Sequence, residues 1–107
     1  MWSFFKFKQS IRIFGINNRS KQWPEKRKQH LSKYPLCAIC GSSTKPEVHH
    51  IVPFHVDPSK ELDDTNLITL CDKYCHFVFG HLMNWRSWNQ DIIKDSQLFN
   101  NKIRNRP

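Results

Sequence analysis

The sequence predicts a small α+β domain: a β-β-α unit framed by two cysteine pairs, with flanking helices. Three observations point there. The runs "EVHHIV" and "NLITL" have the β-branched content of short strands. From Asp72 onward, Phe77, Val78, His81 and Leu82 recur at spacings that share one helical face. Cys37 with Cys40, and Cys71 with Cys75, bracket the two strands. At 107 residues the chain has the size of one domain. So thin a core buries only about two-thirds of the unfolded surface, and an additional staple would help it.

Taken in order, residues 1–16 are a mixed aromatic and basic segment, expected to pack on the domain, and "NNRSKQ" is a polar linker. In "WPEKRKQHLSKYP", Pro24 suits the first helical position and Glu25 the helix N-terminus. Pro35 stops the helix, which is read over 24–33 with Trp23 and Leu31 as its core contacts. "CAICGSS" is a tight turn, with Gly41 placed for it. "PFHVDPSKELDDT" has two prolines and four acids without helical period, and reads as a loop. The helix after Asp72 is expected to end near "NWRSWN", with Trp85 and Trp88 in the core. A second short helix is expected over 90–100, and the tail "NNKIRNRP" is expected to fray. The division is then 1–22 for the N-terminal segment and linker, 23–90 for the main domain, and 91–107 for a C-terminal helix and tail.

Charge narrows the function classes. Seventeen basic residues against nine acidic give a formal charge of +8. Residues 1–34 hold nine basic side chains and one acid, Glu25, whereas the remainder holds eight of each sign. That block is an electrostatic footprint for a polyanion. Lys26, Arg27, Lys28 and Lys33 on the basic helix, with Arg86 further on, are candidates for phosphate contact. No run approaches the roughly 18 apolar residues of a membrane span, and Lys6, Lys8 and Arg12 interrupt any signal-like apolar core. An intracellular, cytoplasmic protein is expected.

The cysteines come in pairs, with two residues between Cys37 and Cys40 and three between Cys71 and Cys75. Such spacing brings four thiolates to one tetrahedral Zn²⁺. The alternative is disulfides, which an intracellular setting disfavours. Thirty residues separate the pairs, more than the roughly 15–20 of a simple ribbon. The enclosed segment holds His49, His50 and Asn66.

Two adjacent histidines on a strand point to opposite faces. Phosphodiester cleavage has a use for that division. It needs a base near neutral pH, a divalent ion to stabilise charge on the phosphate, and a group that holds the base in one orientation. The chain supplies His49 and His50, then Asn66 opening the second strand, then His76 at the start of the helix. Taken singly, Asn66 is a common residue at a turn. His81 lies five residues beyond His76, about 140° around an ideal α-helix. On that geometry His76 and His81 do not easily share one metal on the same face, and His81 is read as a packing or phosphate-contacting residue.

The combined pattern "CAICG…VHHIVPF…NLITLCDKYCH" resembles the HNH endonuclease family in its four-cysteine form, across roughly residues 23–88. "CHFVFGHLMNWRSWN" resembles small stand-alone HNH proteins of bacteria and phages. The resemblance implies a ββα-metal (His-Me finger) core with a structural zinc held by Cys37, Cys40, Cys71 and Cys75. It implies His50 as general base, Asn66 as the residue orienting it, and His49 and His76 as ligands of a catalytic Mg²⁺ or another divalent ion such as Mn²⁺. It further implies DNA as the partner, 5′-phosphate and 3′-hydroxyl ends, and a bacterial or phage-infected cell, with a dimer or larger phage or bacterial complex left open. Two departures stand out. His49 occupies a position where aspartate is commoner, which shifts metal preference away from Mg²⁺, and the second cysteine pair has one residue more than usual. The competing readings are a non-catalytic zinc-stabilised DNA-binding module and a packaging or interaction module.

Overall fold

A computed structural model describes residues 19–72 and 74–107. The segment 1–16, the start of the linker and Lys73 lie outside the described residues. Helix α1 spans Trp23–Lys33, with Pro24 in its first turn and Glu25 beside it. Lys33 in the last turn complements the helix dipole, whereas burial lowers the pKa of His30. The Tyr34 N–H closes the end on the His30 carbonyl at 2.7 Å, and Pro35 follows. His30 is the buried residue of α1. Leu31 is half-buried, and so is Trp23, whose ring centroid lies 4.5 Å from that of His50.

Strands β1 (Pro46–His50) and β2 (Leu67–Cys71) pair antiparallel, with Val48 opposite Thr69, His49 opposite Ile68 and His50 opposite Leu67. All five residues of β2 are buried. Both of its faces are therefore covered, which explains why "LITLC" is mostly apolar rather than alternating. The connection holds two single 3₁₀ turns, Pro58–Lys60 and Asp64–Asn66. Each is opened by an aspartate, Asp57 or Asp63, whose carboxylate accepts from the N–H two residues on.

The core joins Ile39, Ile68, Leu70 and Ile92 with Cys37, Cys71 and Cys75. Helix α2 (Ile92–Arg104) closes it, with Phe99 against Phe79 at 4.8 Å between ring centroids. The Asn100 side chain donates to the Ile39 carbonyl at 2.9 Å, which ties α2 to the first cysteine turn. Asn89 accepts from the Asp91 N–H at 2.8 Å and donates to Asp95 at 2.7 Å, fixing the helix start.

Three expectations are corrected. The helix after Asp72 is a single π-helical turn, His76–Gly80, because Leu82 (φ 54°) and Met83 (φ 64°) adopt left-handed backbone that cannot continue it. The tail does not fray from residue 100, since α2 runs to Arg104 with Ile103 packed on the core. Trp85 is not a core residue but is 58% exposed. No helix among the described residues is long and apolar enough to cross a membrane.

Candidate active site

The first cluster is built from backbone turns. Gly41, in left-handed conformation (φ 77°), closes the Cys37–Cys40 turn by donating to the Cys37 carbonyl at 3.0 Å. Ala38 N–H donates to the Thr69 carbonyl at 2.9 Å, docking that turn on β2. Cys71 ends β2, and Cys75 precedes the π-helix. The four sulfurs lie within 4.8 Å of one another, and none of the cysteines is in a disulfide. Cys40 Sγ and Cys71 Sγ are 3.7 Å apart. A tetrahedron with metal–sulfur bonds of about 2.3 Å has an edge of about 3.8 Å. The N–H groups of Ile39 and Cys40 point at Cys37 Sγ (3.4 and 3.5 Å), and that of Cys75 at Cys71 Sγ (3.4 Å), as suits thiolates. Burial, and then neighbouring Cys37, push the Cys75 thiol far up. Burial likewise raises Cys40. At Cys71 burial works upward too, but the Cys75 and Tyr74 N–H groups outweigh it and lower the thiol. Four thiolates so close require a cation, and this cluster fits a zinc site.

The second cluster joins His49, His76 and His81, whose ligand atoms also lie within 4.8 Å of one another. Ring centroids are 5.0 Å apart for His49–His76 and 4.9 Å for both His49–His81 and His76–His81. The ideal-helix argument separated His76 from His81. In the π-turn the His81 N–H donates to the His76 carbonyl at 3.0 Å, an i→i+5 closure that stacks residues five apart on one side. His81 Nδ1–H donates to the Ser87 carbonyl at 2.7 Å, leaving Nε2 with the lone pair. His49 Nε2 and His76 Nδ1 are buried without a hydrogen-bond partner. Burial first, then His76, His81 and His50, lowers the His49 imidazole to about 3. Burial and His81 lower His76 as well. Neutral, unpartnered imidazoles facing one another fit a divalent ion. Gly80 makes this approach feasible, because a Cβ there would lie 3.2 Å from His49 Cε1 and 3.2 Å from Leu70 Cδ1.

His50 occupies the other face of β1, under Trp23. Its Nε2–H donates to the Glu61 carbonyl at 2.9 Å, so Nδ1 carries the lone pair. Burial lowers its pKa, the Glu61 carbonyl raises it, and Arg19 lowers it further; the net direction is down. The Asn66 side chain makes no hydrogen bond to the His50 ring. Its Oδ1 accepts from Val52 N–H (2.8 Å), and its Nδ2 donates to the carbonyls of Val52 (3.0 Å) and Lys60 (3.1 Å). It thus pins the Lys60 carbonyl, one residue before the carbonyl that holds His50. Glu61, invisible as a site residue in the sequence, is buried and accepts the Ser20 N–H on both carboxylate oxygens at 3.1 and 3.2 Å.

A family model described as HNH endonuclease matches residues 37–77. This stretch is similar to the HNH endonuclease family. The match takes in all four cysteines, His49, His50, Asn66 and His76, and points to nuclease chemistry on nucleic acid. His81, the third imidazole of the cluster, lies four residues beyond the matched stretch. No curated protein and no solved structure matches the chain.

Around the matched stretch, the basic residues fall into two groups. Lys26 is ion-paired with Asp64 at 2.7 Å and Arg27 with Glu47 at 3.2 Å. Their charge is already partly answered within the protein. Lys28, Lys33 and Arg86 are exposed.

Proposed function

We propose that this chain is a metal-dependent DNA endonuclease in which His50 is the general base. The observation that carries the reading is the split of one histidine pair: His49 joins His76 and His81 on one side of β1, while His50 is held by the Glu61 carbonyl on the other. Neutral His50, with its proton on Nε2, takes a proton from water at Nδ1. The Glu61 carbonyl then stabilises the imidazolium by keeping the Nε2–H bonded. Asn66 is a positioning residue, acting through the Lys60–Glu61 backbone. His49, His76 and His81 would hold a divalent ion, which when bound supplies charge neutralisation at the phosphate and the departing oxygen. Cys37, Cys40, Cys71 and Cys75 would hold a structural zinc. Exposed Lys28, Lys33 and Arg86, with Lys26 and Arg27 once their acids release them, contact backbone phosphates.

The test is cleavage of plasmid and of single-stranded DNA with Mg²⁺ or Mn²⁺. His50→Ala is expected to lower the rate by roughly 10²–10⁴-fold, the usual share of a general base. Cleavage at the unmodified rate by that variant would remove His50 from the mechanism, and absence of cleavage by the unmodified chain with every divalent ion would favour a non-catalytic DNA-binding module.

A further inference from the structure

We propose that Trp85 is a base-stacking platform beside the imidazole cluster, so that the cleaved DNA strand is one presenting an unpaired nucleobase at the cut. This rests on the endonuclease reading above and adds the form of the substrate.

Trp85 is held against the candidate ion site and yet open to solvent. Its ring centroid lies 4.9 Å from that of His81, 5.4 Å from His76 and 4.9 Å from Phe77, while 58% of the residue stays exposed. A large apolar ring is normally covered. This one is kept out by a rigid device. Leu82 and Met83 both take left-handed backbone (φ 54° and 64°), which is strained at non-glycine positions and persists only when the surroundings enforce it. Hydrogen bonds enforce it here: Met83 N–H to the Phe77 carbonyl (2.9 Å), Asn84 N–H to the His81 carbonyl (3.1 Å) and Ser87 N–H to the Asn84 carbonyl (2.8 Å). Asn84 Oδ1 accepts from Arg86 N–H at 3.0 Å. The Ser87 carbonyl returns to His81 Nδ1 at 2.7 Å. The turn that displays Trp85 thus begins and ends on one of the three imidazoles.

The position selects the occupant. A phosphate drawn to the imidazole cluster carries a nucleoside within one nucleotide's reach of Trp85. Inside a duplex each base is stacked on both faces by its neighbours, so only an unpaired or end base has a face to offer. Exposed Arg86 follows Trp85 in the chain and suits the next phosphate. Aromatic stacking of this kind is tolerant of sequence and strong, roughly five- to one-hundred-fold in affinity for each base.

The test is a binding cycle in the His50→Ala background, which suppresses cleavage. Two single-stranded oligonucleotides of equal length are compared by fluorescence anisotropy with Mn²⁺ present, one with natural bases and one built wholly of abasic sugars. The protein is expected to prefer the base-bearing strand by five- to one-hundred-fold, Trp85→Ala to bring that preference close to unity, and Trp85→Phe to retain most of it. Mn²⁺ affinity, measured by calorimetry, should be the same in all three. An undiminished preference in Trp85→Ala overturns the proposal, as does an equal loss of both strands together with loss of Mn²⁺. Parity between the strands in the starting protein, while the unmodified chain still cuts plasmid, overturns stacking and leaves the endonuclease reading standing. A Trp85-dependent preference without any cleavage upholds stacking and overturns the catalytic reading.

Discussion

His50 Nε2 lies 2.9 Å from the carbonyl oxygen of Glu61, a bond that fixes the imidazole tautomer from the main chain. Its consequence is a pH profile. Burial and Arg19 outweigh the carbonyl and hold His50 below its ordinary 6.5. If His50 is the proposed general base, the neutral ring is the active form, and cleavage should be lost as pH falls through a value under 6.5 and be level above it. Rate against pH at saturating metal checks this. A midpoint above 7 would be incompatible with the buried, neutral base.

The three-imidazole cluster makes a prediction about ion choice. With nitrogen donors and no carboxylate among them, the site should bind Co²⁺ or Ni²⁺ far more tightly than Mg²⁺. His81→Ala should weaken Co²⁺ binding as much as His49→Ala does, which a site of His49 and His76 alone would not show. Gly80→Ala should weaken it roughly ten- to one-hundred-fold by displacing the His49 ring. Calorimetric titration gives all four values, and the zinc content of the protein should not change.

Asn66 makes three side-chain hydrogen bonds across the neck of the loop. Asn66→Ala leaves the Val52 N–H and two carbonyls short of partners. A fully buried unmet group costs about 1–3 kcal/mol; these three are only part-buried, so water meets some of that, and a loss of roughly 2–4 kcal/mol is expected in urea unfolding. Cleavage should fall in kcat rather than KM, because the Lys60–Glu61 carbonyls drift from His50. An unchanged kcat in the folded variant would show that Asn66 has no part in aiming the base.

Removing the structural ion should unfold the domain. Three of the four cysteines belong to the hydrophobic core itself, and zinc binding by such sites is worth about 10–16 kcal/mol, comparable with the whole stability of a small domain, about 5–15 kcal/mol. A thiol-modifying mercurial should displace whatever metal the cysteines hold and abolish near-ultraviolet circular dichroism, and Cys71→Ser should reproduce the effect. A dichroism spectrum that survives metal loss would contradict this.

Much of this was legible because it is local. Cysteine spacing implies a shared cation, strand alternation sends His49 and His50 apart, and the Pro24 to Pro35 limits of α1 follow from proline chemistry. An ideal helix of 3.6 residues per turn separates His81 from His76, whereas the i→i+5 winding brings them together. Aromatic residues are buried on average, and average burial hid Trp85. Glu61 acts through its carbonyl, which every residue has, so no side-chain pattern could mark it. The pairings of Lys26 with Asp64 and Arg27 with Glu47 depend on tertiary approach, which composition does not encode.

The strand ladder sets His49 against Ile68 and His50 against Leu67. A slip of one residue would exchange the two rings: the proton acceptor would land among the other imidazoles, and the ion-facing one under Trp23. Only a few positions long, such a hairpin has little of its own to resist that. The clasp at Cys71, docked through Ala38 onto Thr69, holds the alignment at the opposite end of the ladder. One cation that never meets substrate would thereby decide which histidine does which job.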